Sequence, residues 1–201
     1  MSEKIKIAIL ISGIGSNMES LIIDLKKKDH PGRAHMVISD NPNALGIKRA
    51  QQLSIPTFSI TPKSKCLDKN DFEKKLLTML RSNEIQVICL AGFMRILSAT
   101  FIDSFSGEIL NIHPSILPSL KGLNTHYRAL KKGIHVHGAT VHKVTKNLDS
   151  GTILGQTTIK ILKDDTPQSL SDRLKPEEHQ LYVQVLRNFL LDNSNVIQKI
   201  I

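Results

Sequence analysis

The chain has 201 residues and carries 27 Lys+Arg against 18 Asp+Glu, which gives a formal net charge of +9. A chain of this length fits one domain, and it can bury about 70% of its unfolded surface without needing disulfides. Hydrophobic residues make up 40% and charged residues 22%, and the 11 Gly and 8 Pro are too few for a fibrous or low-complexity chain. Collagen-like and intrinsically disordered proteins are therefore excluded.

The two cysteines lie in unlike contexts, Cys66 in a polar loop and Cys89 inside an apolar run, which favours two unpaired thiols in a reducing compartment. Basic residues fall in short clusters and aromatic residues are only 4%, so a stacking platform for single-stranded nucleic acid is not indicated. No apolar run approaches the roughly 20 residues of a membrane span, and the short run after Lys6 suits a strand better than a signal peptide. We expect a cytoplasmic protein with no nucleic-acid or membrane partner.

Apolar runs of strand length alternate with segments of helical period, the pattern of a layered α/β domain with a mainly parallel central sheet. Because most of these strands are apolar on both faces, helices should cover both sides of the sheet. The predicted strands are 5–11, 34–39, 56–60, 86–91 and 108–112. The predicted helices are 17–28, 43–53, 70–82, 98–105 and 125–132.

The pattern changes after residue 135. Two longer and more polar strands, at 138–144 and 152–161, should pair antiparallel at one edge and bring the sheet to about seven strands. A final helical region covers 167–191, and Pro176 is expected to break or kink it, leaving a longer segment at 177–191. The chain is therefore predicted to be a single domain followed by a tail at 192–201.

The segment Ser12-Gly13-Ile14-Gly15-Ser16-Asn17 connects the first strand to the first helix. Glycines at such a turn let backbone amides approach an oxyanion, and the helix N-terminus adds partial positive charge, so phosphate would fit. The third glycine of the dinucleotide fingerprint falls on Met18, and no Walker lysine follows, which argues against a nicotinamide oxidoreductase. An ordinary tight turn with Ser16 or Asn17 as the N-cap is the alternative.

The fifth strand ends in Asn111-Ile112-His113-Pro114-Ser115. Alternation along a strand places Asn111 and His113 on one face, roughly 6.5 to 7 Å apart, and Leu110 and Ile112 on the other. An amide donor and an imidazole at the carboxyl end of a buried parallel strand stand where ligands bind in open α/β sheets. A polar pair that only ends the sheet is the alternative.

Two further histidines, His137 and His142, lie five residues apart on one predicted strand and should face opposite ways, so no shared metal ion is expected. Asp149 stands two residues before Gly151 and fits an ordinary turn. If its carboxylate reached His113, it would orient the ring and stabilise a positive charge on it.

After the fourth strand, Gly92 permits a tight turn, and Phe93 and Met94 either line an apolar slot for a flat ligand or pack in the core. Six motifs then stand in a fixed order along the chain. They are Ile11-Ser12-Gly13-x-Gly15-Ser16-Asn17, Ala91-Gly92-Phe93-Met94-Arg95-Ile96-Leu97, Asn111-Ile112-His113-Pro114-Ser115-x-Leu117-Pro118, Gly122-Leu123-x-Thr125-His126, His137-Gly138-x-Thr140-Val141-His142 and Leu148-Asp149-x-Gly151.

Together these motifs, from about residue 5 to 190, resemble the folate-dependent phosphoribosylglycinamide formyltransferases of purine biosynthesis. The resemblance implies a Rossmann-like formyltransferase fold and an enzyme that moves a formyl group from 10-formyltetrahydrofolate to the amine of glycinamide ribonucleotide. It implies these two small molecules as substrates, no metal, and a monomer or homodimer. It also implies that residues 1–100 serve the nucleotide phosphate side and 101–190 the catalytic and folate side.

The resemblance also assigns roles to individual residues. The family's catalytic asparagine, histidine and aspartate fall on Asn111, His113 and Asp149. Its ribonucleotide-binding residues fall on Gly13, Ile14, Gly15, Ser16, Asn17 and Glu178. Its folate-binding residues fall on Lys69, Met94, Arg95, Ile96, Leu97, Asn111, Thr145, Leu148 and Asp149.

The chain departs from the family pattern at a few positions. Ile14 replaces a common asparagine, Asn124 a common histidine and Ser150 a common glycine, and Lys175-Pro176 replaces a more usual polar pair. Ile14 leaves the backbone cradle for phosphate intact, since that cradle needs no side chain. The departures at Ser150 and Lys175-Pro176 are expected to affect the mobility of the loop at Asp149 and the affinity for the nucleotide, respectively.

Related formyl-handling enzymes share the Asn-x-His-x-Ser core. Methionyl-tRNA formyltransferase resembles this domain but carries a further C-terminal domain, and formyltetrahydrofolate hydrolase carries an extra N-terminal one. The first is not expected, because this chain ends too early and has the Gly-Ser-Asn loop that methionyl-tRNA formyltransferase lacks. The second is not expected, because the first strand already begins at residue 5. A 10-formyltetrahydrofolate hydrolase and a basic nucleic-acid-binding α/β module remain the alternative functions.

Overall fold

The computed structural model describes residues 3–61 and 69–197, without the side chains of Lys69 and of residues 193–197. Its strands are β1 (Ile5–Ile11), β2 (Gly32–Ser39), β3 (Thr57–Ser59), β4 (Val87–Leu90), β5 (Glu108–His113), β6 (Val136–Lys143) and β7 (Ile153–Lys160). Its helices are α1 (Ser16–Leu25), α2 (Leu45–Gln52), α3 (Lys69–Ser82), α4 (Ala99–Ser104), α5 (Thr125–Lys131) and α6 (Pro167–Ile197). Every predicted element is present, with bounds that differ by a few residues.

The seven strands form one sheet in the order β3-β2-β1-β4-β5-β6-β7. The pairs from β3 to β5 are parallel, whereas β5 with β6 and β6 with β7 are antiparallel. The predicted parallel sheet with an antiparallel edge is therefore confirmed. The chain first runs outward from β1 to β3 and then returns to β4 on the other side of β1. This reversal leaves a crevice above the carboxyl ends of β1 and β4, where ligands bind in such sheets.

Helices cover both faces of the sheet, as the apolar strands required. On one face Ile5, Ile7, Ile9 and Ile11 of β1 pack in a core cluster with side chains of α1 and α6. On the other face Ala8 and Leu10 belong to a second cluster with side chains of α3 and α4. A strand that is apolar on both sides is stable only between two such layers, because each face must be removed from water.

The last helix corrects one prediction. We expected Pro176 to break or kink the helical region and divide it into two segments, but α6 runs as one helix from Pro167 to Ile197 with Pro176 inside it. Proline removes one intrahelical hydrogen bond and crowds the preceding turn. Buried Leu170 and Leu174 before Pro176, and Leu181 and Tyr182 after it, anchor both parts of the helix in the protein interior. Tertiary packing along one face therefore overrides the local preference for a break.

Two buried side chains join α6 to the centre of the sheet. The Tyr182 hydroxyl lies 3.1 Å from the Leu110 carbonyl oxygen and 3.3 Å from that of Leu90. Burial raises the pKa of Tyr182 well above its usual value and that of the neighbouring Cys89 to about 12, so both groups stay neutral. Cys89 is a free thiol, while Cys66 lies outside the described residues.

Within the described residues, no helix combines the length and the apolar character that crossing a membrane would need.

Replacing Tyr182 with Phe is expected to lower the free energy of unfolding by about 1–2 kcal/mol, because two buried carbonyl oxygens lose their shared donor. Urea unfolding followed by circular dichroism measures the change. Tyr127 is 52% exposed on α5, so Tyr127→Phe is the matched control, with an expected change below about 0.5 kcal/mol. Equal effects of the two substitutions would contradict a stabilising role for the buried hydroxyl.

Candidate active site

A glycine turn joins β1 to α1 at the crevice. Gly15 has a φ of 75° and stands at the N-cap of α1, with no side-chain cap hydrogen bond, so neither Ser16 nor Asn17 is the N-cap. A Cβ on Gly15 would lie 2.9 Å from the Cα of Gly46, next to the Gly13 carbonyl that accepts a hydrogen bond from the Gly46 amide at 3.0 Å. Glycine is thus required here by both conformation and packing. The first amides of a helix have no intrahelical acceptor, so those of α1 are available to an anion.

The first turn of α1 contacts α6 through a polar pair. Asn17 Nδ2 donates a hydrogen bond to Glu178 Oε2 at 2.9 Å. Asn17 Oδ1 is buried without a hydrogen-bond partner among the described residues, and Glu178 is itself only 9% exposed. Burial raises the pKa of Glu178, and the contacts with Asn17 and Lys175 only partly offset that rise. A buried carboxyl group beside an unsatisfied amide oxygen is an arrangement typical of a polar binding site.

The loop after β4 is tied to the glycine turn. The Ser12 amide donates to the Gly92 carbonyl at 3.1 Å, and the Met94 amide donates to Ser12 Oγ at 2.9 Å. Met94 and Ile96 are exposed, whereas Leu97 packs in the core, so only its backbone can line the crevice. The two loops therefore form one continuous rim with apolar side chains at its surface.

Arg95 is held on the same rim. Its guanidinium carbon lies 4.7 Å from the centre of the Phe72 ring, and Nη1 lies 3.9 Å from Asp40 Oδ2. Stacking on an aromatic face orients the guanidinium without using its N–H donors. Arg95 is therefore available to an anionic group at the crevice.

Asn111 and His142 face each other across the antiparallel pair of β5 and β6. Asn111 Nδ2 lies 3.2 Å from His142 Nε2, and His142 Nδ1 lies 2.8 Å from the Lys143 carbonyl oxygen. Sequence reasoning did not assign His142 to the site. The signal that could have found it is the antiparallel edge, since directly opposed residues on such strands share a face.

His113 is buried at the end of β5. Its Nε2 lies 3.0 Å from the Leu120 carbonyl oxygen, which can only accept, so this nitrogen carries the proton. Its Nδ1 lies 3.6 Å from Asp149 Oδ2, a distance for charge interaction and not for a hydrogen bond. The predicted shared face of Asn111 and His113 is consistent with the packing of Leu110 and Ile112 together in the core cluster of the opposite face.

Asp149 connects the histidines to two loops. It has a φ of 45° and is 9% exposed. Its Oδ2 accepts a hydrogen bond from the Gly122 amide at 2.8 Å, and its Oδ1 lies 3.8 Å from His142 Nε2. The carboxylate is thus fixed between His113 and His142, and the contact with Gly122 was not predicted from the sequence.

Lys121 binds the loop of Asp149 from outside. Its ammonium group donates to Ser150 Oγ, and Ser150 Oγ donates to the Leu148 carbonyl at 2.8 Å. Thr145 Oγ1 donates to the Asn147 carbonyl at 3.2 Å in the same loop. The serine that replaces the family's usual glycine therefore adds a contact between two loops.

The structure brings the predicted residues to one end of the sheet from several elements. Gly13, Ile14, Gly15, Ser16 and Asn17 follow β1, Met94, Arg95 and Ile96 follow β4, and Asn111 and His113 end β5. Glu178 comes from α6. Lys69 is the first residue of α3, and its side chain lies outside the described residues.

His137 and His142 lie on opposite faces of β6, because they are an odd number of residues apart. His137 Nε2 lies 3.1 Å from His126 Nδ1 on α5, and burial lowers the pKa of His137 to about 4. His137 and His142 thus contact different partners, as the odd spacing predicted. Among the described residues, no three His, Cys, Asp or Glu side chains are grouped in a way that could hold a metal ion.

The chain is similar to known proteins along most of its length. A family model described as formyl transferase matches residues 5–186. The chain is 37% identical to a Bacillus subtilis phosphoribosylglycinamide formyltransferase over 92% of its own length and 94% of that protein. It is 40% identical to the human trifunctional purine biosynthetic protein adenosine-3, again over 92% of the chain, but it spans only 18% of that protein's length.

A solved structure gives the same result for the fold. The crystal structure of glycinamide ribonucleotide transformylase 1 from Symbiobacterium toebii superposes with a TM-score of 0.90 and 34% sequence identity. The superposition covers 96% of this chain and 91% of that one. With the family match, the identity to relatives and this superposition in agreement, the chain belongs to the formyl transferase family.

Proposed function

We propose that the protein transfers the formyl group of 10-formyltetrahydrofolate to the amine of glycinamide ribonucleotide, a step of purine biosynthesis. The observation that carries the proposal is the convergence of Asn111, His113 and Asp149 at the carboxyl end of β5. The name of the Bacillus subtilis relative, which this chain matches along 94% of that relative's length, supports the same reaction.

Formyl transfer to an amine requires stabilisation of negative charge on the formyl oxygen during attack. Asn111 offers an N–H donor of its amide. His113 donates from Nδ1 when its ring is protonated, because Nε2–H is already held by the Leu120 carbonyl. Donors fixed by the protein before the reaction stabilise such charge without reorganisation. We assign Asn111 and His113 to this role.

We assign two roles to Asp149, one toward the charge on the His113 ring and one toward the proton of the attacking amine. The Asp149 carboxylate lies within 3.6 Å of His113 Nδ1 and therefore stabilises a positive charge on that ring. Because the Gly122 amide holds the same carboxylate, its position does not depend on the substrate. We assign to Asp149 the movement of the amine proton toward the departing folate nitrogen through water.

The ribonucleotide phosphate is assigned to the glycine turn. The backbone amides of Gly13, Gly15, Ser16 and Asn17 lie at or near the N-terminus of α1, where partial positive charge favours anions. Ile14 is 57% exposed and adds no polar group. With β4 between them, β1 and β5 lie roughly 10 Å apart, a distance that a phosphoribosyl group can span. Glu178 lies beside this turn and would accept hydrogen bonds from ribose hydroxyls.

The folate is assigned to the rim formed by Met94, Arg95, Ile96 and the backbone of Leu97, and to the loop from Thr145 to Asp149. Exposed Met94, Ile96 and Leu148 supply apolar surface for a flat ring, and Arg95 supplies a cation. The assignment of Lys69 to the folate remains a prediction from the resemblance. So does the division into a nucleotide side at 1–100 and a catalytic and folate side at 101–190.

The cellular setting is also part of the proposal. Both proposed substrates are small anions, which fits a protein of net charge +9 that works in the cytoplasm on diffusing metabolites. We propose a monomer or homodimer that acts without nucleic acid, a membrane or a metal ion.

The proposal is tested by following tetrahydrofolate release from 10-formyltetrahydrofolate spectroscopically, with and without glycinamide ribonucleotide. We expect release only when the ribonucleotide is present. Release without it would establish a hydrolase instead. No release in either case, together with oligonucleotide binding that weakens steeply with salt, would establish the basic binding module.

Replacing His113 with Ala is expected to lower kcat/KM about 100-fold to 1,000-fold, because one of the two donors to the developing oxyanion is lost. His135 is exposed just before β6, so His135→Ala is the matched control and should leave turnover unchanged. Thermal unfolding of both variants checks that they are folded. Turnover near the wild-type value in a folded His113→Ala variant would contradict the assigned role.

The raised pKa of Glu178 predicts how the stability of the protein changes with pH. Because burial raises the pKa of Glu178 above 4.5, the folded state holds this proton more tightly than the unfolded state does. Stability from this group is therefore fully present below pH 4.5 and is lost as the pH rises through the raised folded-state pKa. Glu178→Gln should consequently be more stable than the wild type at about pH 7, and the difference should vanish in acid.

Urea unfolding between about pH 4 and pH 8 measures this difference. The same Glu178→Gln variant should bind the ribonucleotide more weakly in calorimetry, because one charged acceptor is lost. Glu177→Gln, at the neighbouring and less buried position on α6, is the control for both measurements. If Glu178→Gln were less stable than the wild type at neutral pH, burial of the Glu178 charge would not be destabilising, and the prediction would be wrong.

A further inference from the structure

We propose that His142 is a positioning residue that fixes the carboxamide of Asn111 with its amide nitrogen turned toward β6. The inference rests on the proposed function, since it concerns how Asn111 is held for that reaction. It is carried by the contact between Asn111 Nδ2 and His142 Nε2 at 3.2 Å and by the partner of the other ring nitrogen.

The hydrogen-bond partners determine which atom is the donor in this contact. His142 Nδ1 lies 2.8 Å from the Lys143 carbonyl oxygen, and a carbonyl oxygen only accepts, so Nδ1 carries the proton. In a neutral ring Nε2 is then bare and acts only as an acceptor. The Asn111 atom that faces it must therefore be the amide nitrogen and not the amide oxygen.

The surroundings keep His142 neutral. The ring is 2% exposed, and burial is the main reason that its pKa lies below the ordinary value of 6.5. The Lys143 carbonyl and Asp149 act in the opposite direction, whereas the charges of His113 and Lys121 lower the pKa further. A neutral ring with a fixed tautomer is a permanent acceptor for Asn111.

The orientation of the Asn111 carboxamide determines which of its atoms can face the formyl oxygen. With one N–H of Nδ2 held by His142, the second N–H has a defined direction and is the donor that we assign to the formyl oxygen. Rotation of the amide by about 180° would exchange this donor for an oxygen, which repels an oxyanion. The two amide orientations are nearly equal in shape, so packing alone selects poorly between them.

Protonation of His142 would reverse the preferred orientation of the Asn111 amide. An N–H at Nε2 would then face the N–H of Asn111, and the amide would rotate to present its oxygen. Asp149 Oδ1, 3.8 Å from Nε2, would stabilise that charged ring. The neutral state is therefore the one in which Asn111 serves the reaction.

Two substitutions separate positioning from packing. His142→Gln keeps an acceptor at this place, whereas His142→Leu removes it at similar volume. We expect the Leu variant to lose about 10-fold or more in kcat, with KM for both substrates within about twofold, and the Gln variant to recover most of kcat. His137→Gln is the matched control, because His137 is equally buried on β6 but contacts His126, and its kcat should not change.

A second measurement does not depend on activity. Nitrogen-15 NMR of the imidazole rings, with His142 assigned by its absence in His142→Gln, should show a protonated Nδ1 and a bare Nε2 at neutral pH. The opposite tautomer would overturn the inference. Equal kcat in the wild type and in a folded Leu variant would overturn it too, as would equal losses in the Leu and Gln variants.

The two proposals fail in different ways. If the wild type released no tetrahydrofolate in the presence of the ribonucleotide, the proposed function would fail, while the tautomer would still show whether His142 orients Asn111. If the wild type is active and His142→Leu is as active, only the positioning role fails.

Discussion

The antiparallel register between β5 and β6 is the constraint on which the candidate active site depends. It sets Asn111 opposite His142 and His113 opposite Thr140. The Thr140 hydroxyl donates to the Ser115 carbonyl at 2.7 Å and accepts from the Leu117 amide at 3.0 Å, which fixes the loop that leaves β5. A shift of one residue would turn these polar side chains toward the core and expose the apolar ones, so the register is strongly determined.

The sheet order joins this group to the phosphate side of the crevice. Because β4 lies between β1 and β5, the glycine turn and the pair of Asn111 and His113 come from neighbouring positions at the same end of the sheet. Ser12 then connects the turn to the loop after β4 through two hydrogen bonds. The sheet thus holds groups that are about 100 residues apart in the chain at neighbouring positions of one edge.

Several groups in this crevice are held at a cost to stability. Burial disfavours the charged forms of Glu178 and His142. Asn17 Oδ1 is buried without a hydrogen-bond partner among the described residues. Packing of α6 against the sheet, with Tyr182 bonded to strand carbonyls, offsets that cost. Stable packing on one side of the sheet thus accompanies costly buried polar groups at its end, as expected at a functional site.

The elements could be predicted from the sequence because apolar periodicity and strand length are local properties. The shared face of Asn111 and His113 followed from alternation along one strand, and the glycine turn followed from its place between a strand and a helix. Pro176 could not be judged in the same way, because the packing of residues before and after it decides whether the helix continues. His142 and Gly122 were missed because their partners are distant in the chain.

The sequence by itself determined a layered α/β domain, the face on which Asn111 and His113 lie, and a resemblance carried by six ordered motifs. Only the tertiary structure decided that Asp149 lies between His113 and His142, that Asn17 contacts Glu178, and that the Asn111 amide faces a histidine. The physical reason is that periodicity fixes the direction of a side chain relative to its own strand or helix. The partner it meets depends on strand order, register and helix docking, which arise from contacts between distant parts of the chain.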